Sequence, residues 1–151
     1  MLRRRQGQST PPSRPDPDEQ VVLRPDLRAA AAARDVARSS CTRWGLSEVA
    51  LDTALLVVSE LVTNAVVNAR SQVTLRLRLR RDRLLVEVED EDSRLPVLQE
   101  HDRDALGGRG LLLVDALSVR WGSRPRPTGK VVWAELPLAA DPSAQDSAGR
   151  Q

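Results

Sequence analysis

The segment SELVTNAVVNA, Ser59 to Ala69, places Glu60, Asn64 and Asn68 four residues apart in a run of otherwise apolar helix formers. On a helix these three side chains stack one turn above another. A carboxylate and two amides in one line can do two kinds of chemistry. Their oxygens are hard ligands, suited to Mg²⁺ that keeps part of its water shell. The carboxylate can instead act as a general base. A solvated polar helix face is the plainer reading. Asn occurs nowhere else in the chain, so two on one face carry more weight than in an average composition.

Two further features carry chemistry. Asp90 follows Val86 and Val88 in phase, so its carboxylate is expected on the buried face of a strand. Burial there is costly unless the group is hydrogen-bonded. The exocyclic amine of a ligand is one such partner; an acidic turn over Asp90 to Asp92 is the alternative. Gly107-Gly108-Arg109-Gly110 directly precedes an apolar helix at Leu111 to Leu117. Glycines let backbone N–H groups approach an anion, and a helix N-terminus favours phosphate. A helix-capping turn is the plainer reading. The chain has no G-x-x-x-x-G-K-[ST] pattern, and neither the glycine spacing nor a preceding strand fits a dinucleotide fingerprint.

The elements that must position these groups follow from periodicity. Val21 to Leu23 reads as an edge strand before Pro25. Asp26 is expected to cap a helix to about Arg43, with Leu27, Ala30, Ala33, Ala37, Cys41 and Trp44 as its apolar stripe and Gly45 as its stop. Ser47 caps the long helix that carries Glu60 and ends near Ala69, with Leu51, Leu55, Val58, Leu61, Val62, Ala65 and Val66 toward the core. The period then changes to two. Val73 to Leu79 and Leu84 to Val88 form a hairpin across Arg81-Asp82-Arg83, and Arg76, Arg78 and Arg80 share a face with Glu87 and Glu89. Cross-strand charge pairing explains that row without invoking RNA. Ser93 to Arg109 is a long non-periodic stretch of the kind that is usually functional or mobile. Val119 to Trp121 and Lys130 to Leu136 are the last strands, joined by GSRPRPTG. Helices between paired strands argue α+β, with helices layered on one face of a mixed, mostly antiparallel sheet.

Composition bounds the rest. A chain of 151 residues supports one domain with tails. Residues 1–19 hold four prolines among polar residues, and 139–151 are similarly polar, so both are expected to be disordered arms around a domain at 20–138. Of 23 basic residues only Lys130 is lysine, and Phe, Tyr and Ile are absent. A GC-rich coding sequence accounts for both facts, so the arginines are a genome signature before they are a binding clue. The net charge of +2 has mixed signs along the chain, which argues against direct nucleic-acid binding. The lone Cys41 excludes an intramolecular disulfide. No apolar run long enough to span a membrane is evident, and no h-region follows the basic MLRRR. A cytoplasmic location is expected.

Three segments in order, SELVTNAVVNA, VEVEDEDSRLP and GGRGLLLVDALSVRWG, resemble the N, G1 and G2 boxes of the Bergerat-type ATPase fold shared by gyrase, histidine kinases and heat-shock chaperones. The closest resemblance is to the anti-sigma-factor serine kinases of actinobacterial regulators, and it covers nearly all of residues 21–138. It implies an α/β sandwich that binds ATP and Mg²⁺. Glu60 then matches the base that activates a partner's serine, and Asn64 the residue that holds Mg²⁺. Asn68 lies in the same nucleotide-facing row, where many members have His. Asp90 matches the aspartate that receives the adenine amine, and Gly108 and Gly110 match the phosphate-cradling glycines. Residues 97–109 correspond to the ATP lid, from which Arg109 reaches the phosphates. Two more positions depart from the pattern: Asp92 stands at a G1 glycine, and Lys130-Val131 follow Gly129 where a Thr is common.

The function implied is an anti-sigma regulator that binds a sigma factor and phosphorylates a Ser on an anti-sigma antagonist. A non-catalytic ATP-binding module is the alternative that the departures motivate. No membrane partner is expected, and a homodimer through helix 27–43 and the first strand is open. His101 reads as a solvated loop residue, and no dimerisation helix pair points to a histidine kinase fragment.

Overall fold

The structure, a computed structural model, describes residues 16–69, 71–94 and 108–138. The two arms beyond these residues and most of the expected lid, His101 included, lie outside the described residues. In chain order the elements are β1 (Asp18–Leu23), α1 (Ala29–Arg43), α2 (Glu48–Ala69), β2 (Val73–Leu79), β3 (Arg83–Asp90), α3 (Gly108–Leu117), β4 (Arg120–Arg126) and β5 (Gly129–Pro137). The five strands form one sheet in the order β1-β2-β3-β5-β4. Every pairing is antiparallel, so the expected mixed character is absent among the described strands. The α+β layering holds: the helices cover one face and the other face is open.

Strand alternation sets the two faces. Leu75, Leu77, Leu84, Val86, Val88, Ala134 and Leu136 point to the helices and are buried. They pack with Val57, Val58, Leu61 and Val62 of α2 and Ala33, Ala37 and Cys41 of α1 in one core. α2 has 22 residues and a mean hydropathy of 1.6 over its apolar window, enough in length and composition for a membrane span. Here Val57, Val58, Leu61 and Val62 instead fill this core, while Val49, Leu56 and Val67 stay exposed, so the sequence expectation needs that qualification.

On the open face, the hairpin itself makes only part of the charge pairing its pattern implies. Arg78 lies 3.6 Å and Arg124 2.9 Å from the buried Glu87, while Arg126 reaches Glu89 at 3.4 Å. Arg76 bonds to Gln20 and Arg80 pairs with Asp16, so the arginine row is shared among three strands and the segment before β1.

Several local expectations change. Asp26 does not cap α1. Its Oδ1 accepts the Arg28 N–H at 2.8 Å in an Asx-turn before the helix, and Leu27 is 99% exposed rather than in the stripe. α1 ends as expected at Gly45, with φ of 75°, and Ser47 Oγ accepts the Ala50 N–H at 3.2 Å to cap α2. β1 starts at Asp18, inside the arm drawn by composition, because pairing with β2 recruits polar residues. Most of the GSRPRPTG connection belongs to β4, and only Pro127-Thr128 turn between the strands. An edge strand tolerates Pro125, since the missing N–H need not join a ladder.

Burial also sets the chemistry of Cys41. Loss of hydration pushes its thiol from 9.0 up to about 11. Native protein is therefore expected to resist a chromogenic thiol reagent at pH 8 and to react on unfolding in urea. The folded thiol binds its proton more tightly than the unfolded one. This contribution to stability is thus full below pH 9.0 and is lost as pH rises toward 11. Urea midpoints measured across that range check the sign.

Candidate functional site

The three features converge at one end of the sandwich, where α2 and β3 end and α3 and β5 begin. The C-terminal half of α2 supplies Glu60, Asn64 and Asn68. Asn68 Nδ2 donates to Asn64 Oδ1 at 3.0 Å, which fixes the orientation of the Asn64 amide. Glu60 lies against the first turn of α3: a Cβ built on Gly110 would fall 2.6 Å from Glu60 Oε2. α3 starts at Gly108, earlier than expected, so Gly108, Arg109 and Gly110 form that first turn. The N–H groups of a first turn have no partners within the helix and favour negative charge. The Arg109 side chain lies outside the described residues.

Gly110→Ala is expected to push the Glu60 carboxylate off this turn, since 2.6 Å is below any ordinary carbon–oxygen contact. The fold should survive, because a flexible carboxylate is what must move. Circular dichroism and a phosphate-transfer assay, run together, should show native helix content with weakened transfer.

Asp90 occupies the position that strand phase implied. It continues the inward face of Leu84, Val86 and Val88 and is 3% exposed. Its Oδ1 accepts the Asp92 N–H at 2.8 Å and the Lys130 ammonium at 3.1 Å. Its Oδ2 is buried and has no hydrogen-bond partner among the described residues. A buried orphan acceptor is uncommon in folded proteins and calls for a partner. An amine donor from a ligand would satisfy it.

Sequence reasoning marks Lys130 as a departure from the family pattern but gives it no place in the site. It faces Asp90 across the β3–β5 pair, in phase with Val132, Ala134 and Leu136. It is 4% exposed and also donates to the Asp92 carbonyl at 3.0 Å. Two signals pointed to it: the same alternation that placed Asp90, and its being the one lysine in an arginine-rich chain.

Arg94 was missed as well. Its guanidinium grips both oxygens of Asp92, with the closest contact at 2.8 Å, and donates to the Asn68 carbonyl at 3.2 Å. These bonds from Arg94 hold the Asp92 carboxyl down at about 2. The carboxylate at the G1 glycine position is therefore charge-matched and turned toward the end of α2. It closes a continuous polar track from Lys130 through Asp92 and Arg94 to Asn68 and Asn64.

No group of three or more His, Cys, Asp or Glu side chains that could cage a metal exists among the described residues. The Asn64 oxygen, with one lone pair not used by Asn68, fits an ion such as Mg²⁺ that keeps waters and takes its other ligands from phosphate. A groove of about 470 Å³ lined by Trp44, Leu46, Leu79 and Leu138 lies at the opposite end of the sheet, away from these groups.

A buried acceptor at one end and a helix N-terminus at the other, bridged by a carboxylate–amide helix face, suit a nucleotide-binding ATPase domain. Residues 23–136 match the histidine kinase-like ATPase domain, and the chain belongs to that family. Among solved structures, the RsbU and RsbW domains of Rv1364c from Mycobacterium tuberculosis are similar with a TM-score of 0.64 at 17% identity, over 82% of this chain and 33% of that one. At that identity the likeness speaks for the fold. The blue-light activated histidine kinase of Erythrobacter litoralis EL346 is similar at 29% identity with a TM-score of 0.46, over 62% of this chain and 33% of that one. The chain thus spans about a third of the length of these two structures. No curated protein matches the sequence.

Proposed function

We propose that the protein binds ATP at this end of the sandwich and acts as a serine/threonine kinase on an anti-sigma antagonist, while holding a sigma factor in check. The observation that carries the ATP reading is the buried, unpartnered Oδ2 of Asp90. It offers one buried acceptor to the adenine amine. The α3 first turn, Gly108 to Gly110, offers N–H groups and a positive dipole end to the phosphates. Asn64 would hold Mg²⁺, which when bound neutralises phosphate charge.

Glu60 is the proposed base. Its carboxylate sits against α3, beside the place where the phosphates would lie. It takes the proton of the incoming serine hydroxyl as the serine oxygen bonds to the γ-phosphorus and the bond to the leaving ADP oxygen breaks. Phosphoryl transfer of this kind is mainly positioning and charge neutralisation, so a carboxylate, an amide and helix N–H groups form a sufficient set. The Rv1364c structure, whose fold this chain shares, holds an RsbW domain and an RsbU domain of one protein.

One observation favours a second reading. Asn64 Oδ1 already accepts a hydrogen bond from Asn68, as a residue holding ATP without turnover would tolerate. In that case the chain is a partner-binding module stabilised by nucleotide. Label transfer from γ-labelled ATP to anti-sigma antagonist domains separates the two. Transfer supports the kinase; thermal stabilisation by ATP with no transfer to any substrate supports the module.

A further inference from the structure

We infer that Lys130 is a positioning residue that fixes which purine the site accepts. This rests on the reading of Asp90 as the base-binding carboxylate. Three facts combine. Lys130 Nζ and the Asp92 N–H both bond to Asp90 Oδ1, at 3.1 Å and 2.8 Å. Oδ2 is left buried and unpartnered. Both side chains are almost fully enclosed, at 4% exposure for Lys130 and 1% for Asp90.

The two donors on Oδ1 prevent the carboxylate from rotating about its Cβ–Cγ bond without losing two hydrogen bonds. The ammonium also supplies the counter-charge that a carboxylate enclosed this fully needs. An ionised Oδ2 only accepts. It receives the N–H of a 6-amino purine and faces the oxygen of a 6-oxo purine as acceptor against acceptor. The carboxylate therefore reads the base, while Lys130 holds it in the rotamer that can do so. Among the described residues, the nearest other charges, Asp92 and Arg94, are paired with each other, and the α2 side chains Asn64 and Asn68 are neutral.

Removing the ammonium leaves Asp90 a buried charge without its ion-pair partner, which is costly, and removes one of the two bonds that hold Oδ1. The carboxylate then turns toward other donors, Oδ2 no longer faces the base from a fixed position, and the distinction between a 6-amino and a 6-oxo purine is lost.

The test uses the full chain and compares binding of ATP and inosine triphosphate, which differ at the 6-position. Calorimetric titrations are run on wild type, Lys130→Met and Lys130→Arg, each checked for native circular dichroism. Wild type is expected to prefer ATP by roughly 10- to 100-fold, as one hydrogen bond to a charged group implies. Lys130→Met should bring the two affinities close together, and Lys130→Arg, which keeps a cation, should restore most of the preference. If Lys130→Met does not fold, Lys130→Gln takes its place, with the same expectation of lost preference. A Lys130 variant that weakens both nucleotides equally and keeps the wild-type ratio assigns the lysine a structural role and overturns the inference. So does a wild type that binds both equally. A wild type that binds neither refutes the nucleotide site itself, which is a separate result.

Discussion

In urea, the Asp90→Ala protein is expected to be less stable than wild type by about 3–5 kcal/mol, the range for removing one partner of a buried ion pair. The reason is the ammonium left behind. Lys130 is 4% exposed, and without Asp90 it retains the Asp92 carbonyl as acceptor but no ion-pair partner among the described residues. A loss of this size is a large part of the stability of an ordinary domain, roughly 5–15 kcal/mol. The companion variant sharpens the expectation. Asp90→Ala/Lys130→Met removes both charges and should recover much of the loss, because a missing pair costs far less than a broken one. The two single variants and the double variant form a cycle that isolates the pair. Additive effects would show that the charges do not meet in the folded protein.

The second large effect falls on chemistry and leaves the fold intact. Glu60→Ala is expected to lower phosphate transfer to an antagonist serine by about 10²–10⁴-fold, the usual contribution of a positioned general base. Nucleotide affinity should change little, because Glu60 is assigned to the serine proton rather than to the base or the phosphates. Stability should also hold, since Glu60 is only half-buried and has no ion-pair partner among the described residues. Rapid-quench measurements with labelled ATP separate the binding and transfer steps. Undiminished transfer by Glu60→Ala would move the proton to another acceptor.

Much of this was legible in the sequence, for physical reasons that also mark the limits. A period of two sorts residues onto faces whatever their chemistry, so Val86, Val88 and Asp90 could be read together as one inward row. The same rule applied to Lys130, Val132, Ala134 and Leu136, yet a lysine was not expected inside because its burial requires a partner. That partner is on another strand, and only the β3–β5 register brings Asp90 opposite Lys130. Arg94 was hidden for a similar reason. It follows β3 in a non-periodic stretch, and its role depends on where α2 ends in space.

Breaker residues misled in the other direction. Gly122 and Pro125 suggested a loop, but β4 is an edge strand whose pairing with β5 does not need every N–H. Leu27 fitted a helical stripe on spacing alone, while the Asx-turn at Asp26 starts the helix later and leaves that leucine in solvent. The Glu60, Asn64 and Asn68 row was visible from its spacing. Its contact with Gly110 was not, since it depends on how α3 packs against α2.

The most direct measurement is a calorimetric titration of the full chain with ATP in the presence of Mg²⁺, repeated on Asp90→Asn under conditions where both are folded. Wild type should bind one ATP per chain, and Asp90→Asn, whose amide can present a donor where the base needs an acceptor, should bind at least roughly tenfold more weakly. Equal binding by the two proteins would contradict the placement of the base at Asp90, and no heat of binding from wild type would contradict the nucleotide site as a whole.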